Sequence, residues 1–102
     1  MDSLRAATVQ FQHVPGDKSR NLEIVSSFVQ QAASQDVNLI VFPECCLSGY
    51  WHLRHLPRKE LVDLAEPIPD GHCSARLLEI AAEFNLTIGA GLVEVAADGT
   101  LF

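Results

Sequence analysis

The chain has 102 residues, 48% of them hydrophobic, and sets 13 acidic against 7 basic side chains for a net charge of −6. That length holds one domain at most, and the acidic balance leaves no basic stripe to neutralise phosphates, which argues against nucleic acid as a partner. No run approaches the ~18 apolar residues of a membrane span, Met1 to Arg5 is too polar for a secretory leader, and three cysteines without framework spacing fit reduced thiols in a cytoplasmic protein.

Ala7, Val9 and Phe11 alternate with Thr8, Gln10 and Gln12, the pattern of a strand with one face in the core. His13-Val14-Pro15-Gly16 breaks it. Asp17 then suits the N-cap of a helix running to about Gln35, with Leu22, Val25, Val29, Ala32 and Ala33 at helical spacing and Ile24 and Phe28 widening the stripe. Leu39-Ile40-Val41-Phe42, rich in β-branched types, reads as a strand buried on both faces. Strand, helix, strand in this order favours a parallel pair. Pro43 cannot donate to a ladder, so pairing stops there. Glu44 therefore falls just beyond the carboxyl end of a central strand, the edge where ligands collect in open α/β sheets. A carboxylate emerging among apolar neighbours is expected to be partly dehydrated, which suits a proton acceptor.

From Cys45 to Pro69 the pattern is irregular: Pro57, Pro67 and Pro69 punctuate it, and Arg58 to Ala65 fits a short helix. A second helix is predicted from about Ser74 to Phe84, with Leu77, Leu78, Ala81 and Phe84 on one side. Leu86 to Val95 reads as a third strand, in which Gly89 and Gly91 mark close backbone approach. Asp98-Gly99 is a strong hairpin signal. Only Leu101 and Phe102 follow Thr100, so no ladder is expected there, and the chain reads as the N-terminal piece of a longer protein. The order is β-α-β-α-β, half of a layered α/β domain.

Cys45 and Cys46 adjoin Glu44, but neighbours in an extended segment point to opposite sides, and both read as small buried fillers. Cys73 reads as a helix-start residue. His52 and His55 would share a helical face, yet their spacing fits no zinc pattern, and surface or packing roles suit them better. Tyr50, Trp51 and Leu53 follow the glutamate directly and are expected to wall a pocket. Lys18 and Lys59 read as solvated helix positions. The loop Gln12 to Gly16 offers one glycine, too few for a nucleotide cradle.

The block Phe42-Pro43-Glu44, followed by Gly49-Tyr50, resembles the first active-site motif of the nitrilase superfamily, the carbon–nitrogen hydrolases. The opening strand, its helix and the Asn38-Leu39 entry into the next strand look like that family's N-terminal βαβ unit, and Gly71 through Gly91 like its next helix–strand pair. The resemblance implies an α-β-β-α sandwich, of which residues 1–102 would be the N-terminal part of a single domain, cut off in a hairpin. It implies hydrolysis of a non-peptide C–N bond in a small amide, carbamoyl compound or nitrile by a Glu-Lys-Cys triad. Of that triad only Glu44 is present, so the 102 residues alone are expected to be inactive. The resemblance further implies no cofactor or metal, a small-molecule partner and a homo-oligomer at full length, while the lack of a long apolar run speaks against a membrane partner. The alternative is a non-catalytic scaffold or binding module on the same frame.

Overall fold

A computed structural model describes residues 3–102; Met1 and Asp2, at the head of the polar start read as carrying no leader, lie outside the described residues. Strands β1 (Ala6–Thr8), β2 (Leu39–Val41) and β3 (Thr87–Gly89) form one parallel sheet in that order. The register pairs Ala7 with Ile40, and Ile40 with Ile88. Parallel neighbours need crossover connections. Helix α1 (Lys18–Ala33) supplies the first, and α2 (Tyr50–Leu53), α3 (Arg58–Leu64) and α4 (His72–Phe84) make up the second.

The Asp17 carboxylate accepts a hydrogen bond from the backbone N–H of Arg20, so α1 starts at the predicted cap. Its buried face is Asn21, Leu22, Val25, Val29 and Ala32, the predicted stripe with one amide added and Ala33 only partly covered. Helix α4 begins two residues before the expected Ser74 and stops at Asn85, whose left-handed φ of 52° closes the last turn. Its core side runs through Cys73, Leu77 and Ile80, whereas Leu78 is 61% exposed. The helical repeat brings the first three onto one stripe and carries Leu78 off it.

Helices α1 and α4 pack against each other and share one core with the sheet, in which Val25 and Val29 meet Ile40, Phe42, Leu47 and Ile80. Phe11, Phe28 and Phe42 pack ring against ring at centroid separations of 6.2 to 6.4 Å. The expectation that β2 is buried on both faces is not met: Ile40 is 1% exposed but Val41 is 41% exposed. Successive residues face opposite sides of a sheet. The helices cover only the Ile40 side, leaving Thr8, Val41 and Thr87 exposed on the other.

The third strand is shorter than predicted because the chain leaves the sheet after Gly89. The Gly91 carbonyl turns to accept from the Leu47 N–H, and Glu66 then bridges to Glu94 beside it. A Cβ at Gly91 would run into the backbone N of Cys45, so the predicted close approach is real at that glycine. At Gly89 only ordinary contact with Val41 is found, at 3.5 Å. The hairpin, by contrast, does close on its two-residue arm. Glu94 and Phe102 exchange both backbone hydrogen bonds at 2.9 Å, and Thr100 O accepts from Ala96 N. Gly99 supplies the left-handed residue (φ 86°) that a three-residue hairpin loop needs.

Candidate functional site at the carboxyl edge of the sheet

Phe42 N–H donates to Gly89 O at 2.8 Å, the last rung before Pro43 ends the pairing of β2. The chain then folds into a tight turn over Glu44–Ser48. Cys45 takes a left-handed φ of 51°, and its carbonyl accepts from both Ser48 N and Gly49 N. This turn sets Glu44 at the carboxyl edge of the sheet, as the sequence suggests. The expected dehydration is absent: Glu44 is exposed, and its carboxylate makes no hydrogen bond or ion pair among the described residues. The turn lifts it clear of the apolar strand, and no described element covers it.

Asn21 is the strut beneath this edge. It is fully buried, its Nδ2 donates to Val14 O and Leu47 O (both 2.9 Å), and its Oδ1 accepts from Val14 N (2.7 Å). One side chain thus ties the loop after β1 to the turn that carries Glu44. Gly16 N–H donates to Ser48 O and strengthens the same seam. Ser48 Oγ is buried without a hydrogen-bond partner among the described residues. Replacing Asn21 with Leu would leave the buried Leu47 O and the part-buried Val14 N without their partner, while Val14 O keeps its bond from Asp17 N. It is expected to cost about 2 kcal/mol, read as a lower urea midpoint, and to loosen the Glu44 turn, read as faster amide exchange at Leu47.

The cysteines beside Glu44 are poor nucleophile candidates on physical grounds. Burial and the neighbouring Glu44 charge push the Cys45 thiol up, and burial does the same for Cys46, which is 3% exposed. The thiolate is the reactive form. Cys46 fits the filler reading; Cys45 is only half-buried, because its left-handed backbone replaces the extended geometry expected there.

Tyr50 and Trp51 open α2 and meet edge to face at 6.0 Å, 51% and 62% exposed. With Cys45, Leu53, Arg54 and Leu61 they wall an open groove of about 550 Å³ that starts at the Glu44 turn. A depression of similar volume, about 550 Å³, lies at the amino ends of the strands, lined by Asn38, Leu39, Asn85 and Thr87. That one contains no titratable side chain and lies at the wrong end of the sheet for chemistry with Glu44. The ring of His52 packs against Gly16, where a Cβ would come within 2.7 Å of Nε2, while His55 is exposed. Gly49, at φ 93°, leaves room for the ring of His13.

Lys59 is exposed, as its pattern suggests, but Lys18 is not a solvated position. Its Nζ donates to Glu66 Oε2 (2.8 Å) and Leu64 O (2.7 Å), with side-chain exposures of 24% for Lys18 and 7% for Glu66. Glu66 Oε1 accepts from the backbone N–H of Cys73. Burial pushes the Glu66 carboxyl up, yet the Lys18 ammonium and the Cys73 hydrogen bonds outweigh it and hold the group below its ordinary value. Burial and the same carboxylate drive the Cys73 thiol up to about 12. The cluster pins the start of α1 to the start of α4, behind the site rather than in it. Asn21 and Glu66 are missed by sequence reasoning; the available signals were a polar residue inside an apolar helical stripe and an acid directly before a Pro-Ile-Pro run.

The profile of the carbon–nitrogen hydrolase family matches residues 5–102. The mouse (Mus musculus) protein "Omega-amidase NIT2" is 34% identical over 102 residues, covering 100% of this chain and 34% of that protein. "Nitrilase" of Pyrococcus abyssi is 26% identical over 95 residues, covering 93% of this chain and 35% of that protein. Among solved structures, Saccharomyces cerevisiae Nit3, a member of branch 10 of the nitrilase superfamily, superposes with a TM-score of 0.76 at 22% identity, over 97% of this chain and 37% of that one. The chain spans about a third of the length of these relatives. The helix layer and the parallel sheet are accordingly those of the nitrilase-type α/β fold, and the chain belongs to the carbon–nitrogen hydrolase family.

Proposed function

We propose that Glu44 is the general base of an enzyme that hydrolyses a non-peptide C–N bond in a small amide, carbamoyl compound or nitrile. The observation that carries this reading is a carboxylate with no ion pair or hydrogen bond among the described residues, set at the sheet edge beside an aromatic groove. An acid that capped a turn or closed a salt bridge would already be engaged.

On this reading the 102 residues are the N-terminal part of one domain, and a cysteine and a lysine come from the remainder of a longer chain. The cysteine sulfur attacks the amide carbon while Glu44 takes its proton and passes it to the departing ammonia. The lysine ammonium stabilises the oxyanion of the tetrahedral intermediate. Water then attacks the thioester, with Glu44 taking the water's proton and returning one to the thiolate as the acid leaves. The raised thiols of Cys45 and Cys46 support a nucleophile from elsewhere. The unpaired cysteines suit a reducing, cytoplasmic setting, and the small-molecule substrate and homo-oligomeric assembly are what the family resemblance implies.

Ammonia release from a panel of short aliphatic amides and nitriles tests the proposal. The full-length protein is expected to turn over at least one of them and the 102-residue piece none. Turnover by the piece that disappears in Cys46→Ala would overturn it, and an inert full-length protein would favour a non-catalytic scaffold.

A further inference from the structure

We infer that the loop after β1 holds the base and the groove wall in place through two interlocked histidine–glycine contacts, and that His13 and His52 are the positioning residues. This inference rests on the hydrolase reading above, and neither ring is asked to touch the substrate.

Two glycines mark the crossing of the segments concerned. Gly49 closes the Glu44 turn by donating its N–H to Cys45 O at 2.8 Å, and its carbonyl accepts from Leu53 N. It is therefore the pivot between the base and α2. Gly16, in the loop after β1, donates to Ser48 O at 2.9 Å. Both glycines take a left-handed φ, 93° and 70°, and glycine has the widest backbone freedom of any residue. Such a pivot keeps one geometry only when something packs against it. Each glycine receives the ring of a histidine from the other segment. A Cβ at residue 49 would come within 2.1 Å of His13 Cδ2, and one at residue 16 within 2.7 Å of His52 Nε2. Both rings are partly buried, and neither enters an ion pair among the described residues. They act by shape, filling space against bare backbone.

The two contacts bear on different parts of the site. His13 presses on the turn whose order sets where the Glu44 carboxylate stands. His52 belongs to α2, a four-residue helix that buries none of its residues. Its ring on Gly16 ties that helix to the body of the protein, and with it Tyr50 and Trp51 of the groove. Loss of the first ring frees the base and lowers kcat. Loss of the second frees the wall that meets the substrate and raises KM.

The test uses the full-length protein and its best amide. His13→Ala should lower kcat by about 10-fold with KM within about twofold, and His52→Ala should raise KM by about 10-fold with kcat within about twofold. His13→Phe keeps a flat ring that carries no proton, so it should recover most of kcat with the wild-type pH profile. In a Glu44→Gln background, His13→Ala should cost less than about twofold more, because the group it positions is gone. Equal losses in both backgrounds, or kcat and KM unmoved in either alanine variant, overturn the assignment. Amide exchange separates this result from the hydrolase reading. If no amide is cleaved, faster exchange at Gly49 in His13→Ala and at Leu53 in His52→Ala upholds the interlock, and unaltered exchange at either position overturns it.

Discussion

Replacing Glu44 with Gln in the full-length protein is expected to lower kcat on its best amide by about a thousandfold, with KM changed by no more than a few-fold. Gln keeps the shape and polarity of the side chain but cannot accept a proton, so it removes the transfer step and little else. Glu44 is exposed and makes no contact that the fold relies on, so the variant should retain the wild-type melting temperature. That separation of activity from stability distinguishes a base from a structural acid. A kcat within tenfold of wild type would remove Glu44 from the chemistry.

Lys18→Met is expected to do the reverse, lowering stability by about 3 kcal/mol with its effect on substrate selectivity negligible. The variant strands the Glu66 carboxylate, 7% exposed, without its ammonium partner. The figure is taken at the low end for a buried pair because Lys18 remains partly in solvent, at 24% exposure. The loss is read from the urea midpoint at pH 7. Its pH dependence has a definite sign. In the folded protein the Glu66 carboxyl is held below its ordinary value of 4.5, so the stability it contributes is present above about that pH and is lost as pH falls through the lowered value. Without Lys18, burial is opposed only by the Cys73 hydrogen bonds, so the carboxyl rises relative to the wild type and acid unfolding should begin at a higher pH in the variant. A midpoint unchanged at pH 7 and an identical acid limb would mean that the pair holds nothing together.

The elements readable in advance are those in which a local rule and the tertiary contacts agree. The α1 stripe, the Asp17 cap, the Pro43 stop and the placement of Glu44 follow from periodicity and backbone chemistry alone. Where the sequence misleads, a long-range contact decides. Four apolar residues in β2 look the same whether one face or two are covered, and only the position of the helices shows that Val41 is open. Leu86 to Val95 is apolar enough to remain a strand, but Gly91 is drawn to the Glu44 turn and Glu94 to Glu66. Lys18 carries no sign that its partner stands 48 residues away. Asn21 is of the same kind: its value lies in joining Val14 to Leu47, a relation that no local pattern records.

Intact-mass spectrometry of the full-length protein, quenched during turnover of a slow amide, tests the assignment of Glu44 most directly. Wild type should show an acyl adduct on a cysteine, because Glu44 takes the thiol proton as the sulfur attacks. Glu44→Gln should show no adduct over the same interval. An adduct that forms in Glu44→Gln at the wild-type rate would contradict the role given to this carboxylate.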